Sequence, residues 1–517
     1  MGLLRQKKKK KRLVPKLLVF LIIVWAAAGG YLSYKATKKI EKLQTVKQET
    51  TILKWIKFFP SYTRELSNIN RIIKGKTPEN KSGWLFNSTY EKIANNLLLL
   101  VEIEKFNRLI DYLYSRKKKP ELNYYYGLYL FNKGKFEQAK PFLKDSDIFK
   151  KIYSQNKIPV IDNVLYYDMK DKRYHAKYKG LKFLESVFPE NRNFLISYKS
   201  TINPEIQDIA EITLGDNEGF FAFARQGTLL ALVANKVNPL NDYLEPASVI
   251  KLITSVAYLS ENRNDVKFPF LCKKPLNIDG KLFYDWKAHG KLNSIEDALA
   301  CSCNLVFGEC GLSLGKTTLL KWYSRFYIDN NKKLTFLETE FNPARTKKEI
   351  TDRFTLAKAA VGLDVPEVTP YWLIKTASTF ARNGRDSIPS IAFYKKVLGI
   401  EKSGQAIENM KFTLNKNIDY VFDLQKVKPV YKGMEEAVEL PIGTGKRAKV
   451  EWIKLMLKTG TGGGKPNDSV IVGVANYKNV NYSFALFLKK GGKAEYKAAQ
   501  IIHNFFNSYK NVFFAKQ

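Results

Sequence analysis

Glu245-Pro246-Ala247-Ser248-Val249-Ile250-Lys251-Leu252-Ile253-Thr254 places a hydroxyl and an amine three residues apart in a run that reads as helix. That spacing puts both groups on one helix face, where the amine can act as the base a serine needs to become a nucleophile. Alone the pattern is weak, because Ser248 reads equally well as an ordinary helix N-cap in a lysine-rich chain. Two further stretches follow in order, Ser302-Cys303-Asn304 and Lys458-Thr459-Gly460-Thr461. Ser302 can pass a proton to a leaving amine, and the Asn304 amide can hold a peptide bond. Lys458 and the hydroxyls of Thr459 and Thr461 suit a substrate carboxylate, and Gly460 permits close approach of a strand to a bound ligand. Burial of Lys251 beside a second cation such as Lys458 favours its neutral, basic form. It is the conjunction of the three motifs, each on the element it needs, that carries weight.

Working outward, Phe220 to Ala224 and Thr228 to Ala234 flank Arg225-Gln226-Gly227 as a β-hairpin. Trp452 to Gly460, Ser469 to Asn476 and Tyr482 to Lys489 read as three more strands. The stretch from about Ser248 to Asn383 is mostly helical in pattern, and Ala494 to Phe506 forms a last amphipathic helix. Strands at both ends with helices between imply an α+β unit whose sheet is completed by distant segments.

The N-terminus has a different texture. Arg5, Lys7 to Lys11, Arg12 and Lys16 precede the uncharged run Leu17 to Tyr34. That run is just long enough to span a bilayer as a helix, and the leading cations favour a cytoplasmic N-terminus with the remainder outside. A cleaved signal peptide is the alternative, given Ala26-Ala27-Ala28. The expected organisation is a basic tail and membrane anchor over 1–35, a juxtamembrane helical stalk over 36–87, a helical module over 88–155, a linker over 156–195 and the catalytic domain over 196–517. Within the module, Lys105-Phe106 with Leu109 recurs as Lys135-Phe136 with Ala139. Tyr126-Gly127 through Gly134-Lys135-Phe136-Glu137-Gln138-Ala139 is similar to a tetratricopeptide repeat, a fold that offers a protein partner a concave face, although an ordinary helical hairpin fits too.

The chain has 86 basic against 49 acidic residues, a formal charge of +37, and Lys greatly outnumbers Arg. Lys is a solvated point charge rather than a phosphate fork, so no nucleic-acid partner is expected. The cationic surplus fits a proteome that is lysine-rich throughout, with attraction to an anionic membrane or wall polymer as the alternative. Cys272, Cys301, Cys303 and Cys310 are too few for a disulfide scaffold. Cys301-x-Cys303 lacks a matching second pair, and the histidines are His175, His289 and His503, so no metal is expected.

Taken together, the three motifs make the chain resemble the transpeptidase domain of penicillin-binding proteins. The likeness extends through Ser200-Thr201-Ile202-Asn203-Pro204-Glu205-Ile206-Gln207, Glu245-Pro246-Ala247, His289-Gly290, Ala298-Leu299, Val368-Thr369-Pro370 and Ala381-Arg382-Asn383-Gly384, covering residues 196 to 510. It implies a five-stranded antiparallel sheet flanked by helices and a D-alanyl-D-alanine stem-peptide substrate that β-lactams imitate. It also implies an acyl-Ser248 intermediate, an oxyanion hole from the backbone N–H groups of Ser248 and Thr461, and no cofactor. Catalysis would then fall to Ser248, Lys251, Ser302, Asn304 and Lys458, and substrate binding to Thr459, Gly460 and Thr461. No segment is similar to the family's glycosyltransferase domain. A serine β-lactamase or D,D-carboxypeptidase on the same fold is the nearest alternative, and Glu338-Thr339-Glu340 would be the segment to supply a hydrolytic base, although both glutamates are assigned to structure. A penicillin sensor or a scaffold is the alternative from a different class.

The cationic flank generates one expectation about placement. A reporter that is active only outside the cytoplasm, fused after Gln517, is expected to be active. Activity confined to a cytoplasmic reporter reverses the topology.

Overall fold

The computed structural model describes residues 60–79, 87–116, 122–189, 192–400, 403, 405–406, 420–463 and 465–515. The anchor expected at Leu17 to Tyr34 lies outside the described residues; among those described, no helix is long and apolar enough to cross a membrane. The chain divides into two units: residues 1–155 with 193–197 and 396–405, and residues 156–192 with 198–395 and 406–517.

The first unit is helical among its described residues from Pro60–Ile73 through Asn87–Leu99, Ile103–Ser115, Asn123–Asn132, Phe136–Leu143 and Asp147–Gln155. The expected stalk therefore contains a packed helix: buried Glu65 accepts hydrogen bonds from the hydroxyls of Tyr90 and Tyr112, tying Pro60–Ile73 to the next two helices. The linker expected over 156–195 is also folded. Lys157–Ile161, Leu165–Asp168 and Arg173–Ala176 form an antiparallel meander, followed by a 3-10 turn at Lys179–Ser186. Ile158 and Val160 are buried while Lys157 points outward, a half-buried strand pattern too short to stand out in sequence.

In the second unit a five-stranded antiparallel sheet contains β1 (Gly219–Arg225), β2 (Thr228–Asn235), β3 (Lys454–Gly462), β4 (Asp468–Tyr477) and β5 (Val480–Leu488) in the spatial order β3-β4-β5-β1-β2. The five expected strands are these, each within a few residues of its anticipated ends. β5 bonds β1 with Tyr482 opposite Arg225 and Leu488 opposite Gly219, so the C-terminal segment closes on the N-terminal hairpin. The sheet is covered on both faces, which is why Phe220 to Ala224 is continuously apolar. Helices α1 (Pro204–Leu214) and α8 (Lys497–Phe514) cover one face with a core containing Phe221, Phe223, Phe484, Phe505 and Phe506.

Between β2 and β3 the chain forms α2 (Ile250–Ser260), α3 (Ile295–Ala300), α4 (Asn304–Arg325, broken at Gly315), α5 (Arg353–Ala360), α6 (Pro370–Ala381) and α7 (Lys428–Glu439). α6 lies on the other sheet face, where Ser378 and Ser483 hydroxyls bond at 2.8 Å. The middle segment is less purely helical than its pattern suggests, because four short two-stranded ribbons interrupt it, among them Phe270–Cys272 with Gly290–Leu292.

Asn203 caps α1 by accepting from the Ile206 amide, and Pro204 occupies the first turn, where its missing N–H is harmless. One turn later, buried Gln207 donates to the Leu232 carbonyl at 2.8 Å and accepts from its amide at 3.0 Å, capping the backbone of edge strand β2. A buried backbone group without a partner costs about 1–3 kcal/mol. Gln207→Leu is expected to lower stability by about that amount in urea unfolding; an unchanged midpoint would mean that water replaces the amide.

Candidate active site

Ser248 sits in a single 3-10 turn, Ala247–Val249, that runs directly into α2. α2 is buried on every side from Ile250 to Tyr258, so Lys251, one turn beyond Ser248, is 0 % exposed. A buried amine needs partners, and the turn at Ser302 supplies them. Lys251 Nζ donates to the Ser302 carbonyl at 2.6 Å and lies 2.7 Å from Asn304 Oδ1 and 3.2 Å from Ser302 Oγ.

That turn is built by the end of α3. The Ser302 amide bonds the Leu299 carbonyl and the Cys303 amide bonds the Ala298 carbonyl, the pair that defines a Schellman ending. Its left-handed position is normally glycine, yet here it is Ser302 at φ 62°. The chain accepts that strain at a position where a hydroxyl stands between two amines. α4 begins immediately afterwards at Asn304, whose N–H donates to Asp285 Oδ1 at 3.0 Å.

The second amine comes from the sheet. Lys458, on edge strand β3 and also 0 % exposed, donates to Ser302 Oγ at 2.8 Å and to the Thr459 carbonyl at 2.8 Å. β3 approaches the nucleophile turn so closely that a Cβ at Gly460 would lie 3.0 Å from the Pro246 carbonyl oxygen and 3.3 Å from the Ser248 amide nitrogen. Gly460 therefore serves contact with the Ser248 turn, beyond the ligand approach expected of it. Gly362, at φ 87°, lies against the same turn, where a Cβ would come within 1.9 Å of the Ala247 carbonyl oxygen.

Burial lowers the pKa of Lys251 to about 8, against the opposing negative charge of Asp285. Lys458 is held well below its usual value, first by burial and then by the charge of Lys251. Among the described residues no carboxylate supports Lys458 as Asp285 supports Lys251, so of the two amines Lys458 gives up its proton more readily. Two amines sharing one hydroxyl cannot both stay charged without a large penalty.

These groups open onto a cavity of about 290 Å³ lined by Ser248, Ser302, Asn304, Thr459 and Thr461, with Trp286, Val361, Leu363, Thr444, Asn467, Lys493 and Glu495 beside them. Lys251, Lys458 and Gly460 do not line it; the two amines reach it through Ser302, and Gly460 lies against the Ser248 turn. The sequence reading missed the second group. Thr444 is bonded by the Thr459 hydroxyl at 2.7 Å, and Lys493 is a solvent-exposed cation; neither belongs to a motif. Glu338 and Glu340 do not line the cavity. Glu338 accepts a 2.6 Å hydrogen bond from Tyr198, and Glu340 pairs with Lys333.

The family model of the penicillin binding protein transpeptidase domain matches residues 220–507, more than half of the chain and all three motifs. This chain belongs to that family. Its transpeptidase fold is similar to the D,D-transpeptidase domain of a peptidoglycan glycosyltransferase from Eggerthella lenta, at 16% identity and a TM-score of 0.57, covering 69% of this chain and 99% of that one. Penicillin-binding protein A from M. tuberculosis, as a ceftriaxone acyl-enzyme, aligns at 17% identity and a TM-score of 0.53 over 61% of this chain and 80% of that one. PBP2 from Helicobacter pylori, in complex with MreC, aligns at 17% and 0.52 over 62% and 65%. No curated protein sequence matches this chain.

Ser302 generates a prediction that separates backbone from side chain. Ser302→Ala and Ser302→Gly both remove the bridging hydroxyl, but only glycine relieves the left-handed backbone. Ser302→Gly is expected to be more stable than Ser302→Ala by about 1 kcal/mol in urea unfolding; equal stabilities would show that the turn is unstrained.

Proposed function

We propose that this penicillin-binding protein is a serine D,D-transpeptidase that cross-links peptidoglycan stem peptides through an acyl-Ser248 intermediate. The observation that carries this reading is Ser302 Oγ held between Lys251 Nζ at 3.2 Å and Lys458 Nζ at 2.8 Å, in a cavity that also presents Ser248. Ser248 Oγ attacks the carbonyl of the penultimate D-alanine while the Lys251 amine takes its proton. The Ser248 amide and the N–H of Thr461 stabilise the oxyanion, a role supported by the closeness of β3 to the Ser248 amide. The Ser302 hydroxyl relays a proton from the lysine pair to the leaving D-alanine nitrogen, and the C–N bond breaks. An acceptor amine then attacks the acyl-serine, loses a proton to the same relay and releases Ser248.

Lys458 is fully buried and committed to Ser302, so it tunes the relay. The substrate carboxylate falls instead to the Thr459 and Thr461 hydroxyls, with Lys493 as the exposed cation of the cavity. Asn304 positions the peptide bond through its amide. No cofactor is needed for this chemistry. The run Leu17 to Tyr34 supports anchoring in the cytoplasmic membrane with the catalytic unit outside, where stem peptides and β-lactams are found. The helical unit, with its repeat-like motif, is assigned to a protein partner.

Hydrolysis on the same fold is the competing outcome, and Glu495 is the carboxylate placed to support it, because it lines the cavity and is half-buried. Intact-protein mass spectrometry with penicillin distinguishes the two. The expected result is a long-lived adduct on Ser248 that Ser248→Ala abolishes and whose lifetime Glu495→Gln leaves unchanged. Rapid recovery of free protein, slowed by Glu495→Gln, would make this a β-lactamase. The pH profile tests the base: Lys251 accepts a proton only when neutral, so acylation is expected to rise with pH and level off above about pH 8. A rate that keeps climbing toward the range of an ordinary lysine would exclude the lowered amine as base. Ser302→Ala and Lys251→Ala are expected to slow acylation by roughly a hundred- to ten-thousand-fold.

A further inference from the structure

Cys303, the middle residue of the Ser302-Cys303-Asn304 turn, has no part in the chemistry above, and three side chains gather around it: Cys272, His289 and Asp285, whose other oxygen holds the Asn304 amide. Cys272 ends the strand Phe270–Cys272, His289 lies just before the paired strand Gly290–Leu292, and Asp285 comes from the loop that leads into that strand. The sequence hides this group, since its members are spread from 272 to 303 with no short ligand motif.

We propose that Cys272, Asp285, His289 and Cys303 form a structural zinc site that locks the Ser302-Cys303-Asn304 turn. Cys272 Sγ lies 3.2 Å from Asp285 Oδ2 and 3.4 Å from His289 Nδ1, and His289 Nδ1 lies 3.1 Å from Asp285 Oδ2. Together with Cys303 Sγ, the four donor atoms all fall within 4.8 Å of one another. Zinc bonds of about 2.3 Å to sulfur and about 2.0–2.1 Å to nitrogen or oxygen, at tetrahedral angles, require edges of about 3.5 Å between sulfur and the lighter atoms and about 3.3 Å between nitrogen and oxygen. The three observed edges agree to within a few tenths of an ångström.

Hydrogen bonding alone accounts for the triangle poorly. The Cys272 thiol and His289 Nδ1 bring at most two protons to these three atoms, which leaves one of the three short edges without a proton of its own. His289 Nε2 is buried without a hydrogen-bond partner, so the ring's polar engagement among the described residues is with this cluster. Its side chain is 3 % exposed and that of Asp285 5 %, and both cysteines are buried. All four cysteines are free thiols, so no disulfide competes for Cys272 or Cys303.

Two thiolates, an imidazole and a carboxylate are a donor set for zinc rather than for calcium or magnesium, which take oxygen. Ligation releases one proton from each thiol. Two thiolates and one carboxylate against a dication leave a net charge of −1, beside the charge of Lys251. Four protein ligands leave no open position, so the ion would act on structure and not as a Lewis acid. Its leverage is geometric. Cys303 is bonded covalently between Ser302 and Asn304, while Asp285 uses its other oxygen to hold the Asn304 amide. An ion gripping Cys303 and Asp285 therefore fixes both residues that contact Lys251, and helps hold Ser302 in its left-handed conformation.

The test uses the full chain purified in detergent, with zinc measured by elemental analysis and cobalt as the spectroscopic probe. The expected result is about one tightly held zinc per chain, falling to near zero in Cys272→Ser and in His289→Ala. After chelation, added Co²⁺ should give thiolate-to-cobalt charge-transfer absorption and the intense visible bands of a tetrahedral site. Chelation should also lower the unfolding temperature, and zinc should restore it. If the variants fail to fold, the cobalt spectrum of the unaltered protein decides. Absence of both bound zinc and cobalt–thiolate absorption overturns the proposal, as does zinc retained undiminished by a folded Cys272→Ser protein.

Discussion

The site depends on one shared atom. Ser302 Oγ stands within hydrogen-bonding reach of two amines that the fold has taken out of water, one from a helix interior and one from a sheet edge. Each amine alone would be an expensive buried charge, and bringing them together makes double protonation worse. The resulting deficit of protons is useful, because it leaves an amine able to accept one. Most of the surrounding architecture can be read as what holds these three groups in register.

The supports are of different kinds. α2 is buried on every side, so packing fixes the helix and the Ser302 turn holds the Lys251 amine. Strand β3 lies against the turn that carries Ser248, an approach that Gly460 permits by lacking a side chain, and Gly362 lets the segment after α5 reach the same turn. The end of α3 forces Ser302 into a backbone conformation that glycine would accept more readily. That preference is set aside where the hydroxyl is needed, which fits the tendency of strained residues to collect at functional sites. Behind Ser302, the cysteine, aspartate and histidine cluster grips the next residue of the same turn, so the strained segment is held from both sides.

Much of this was readable from the amino-acid order. The hairpin at Phe220 to Ala234 and the three C-terminal strands stand out because buried strands are continuous runs of apolar residues bounded by turn residues. Asn203-Pro204 announces a helix start by its own local chemistry. The folded stretch over 157–187 was passed over, because its strands are short and only half-buried. In the same way, Thr444, Trp286 and the pair Lys493 and Glu495 belong to no motif and reach the cavity from three separate segments.

The sequence by itself determined the order of motifs, the residue types able to supply a nucleophile, amines and hydroxyls, and the strand-helix-strand plan of the catalytic unit. Those properties are local, since periodicity, capping and spacing act over a few residues. Only the tertiary structure decided that Lys251 and Lys458 meet on one hydroxyl, that Gly460 serves the Ser248 turn, and that Cys272, Asp285, His289 and Cys303 converge. Such meetings depend on which distant segments pack together, and proton sharing or metal ligation is sensitive to tenths of an ångström that no spacing along the chain encodes.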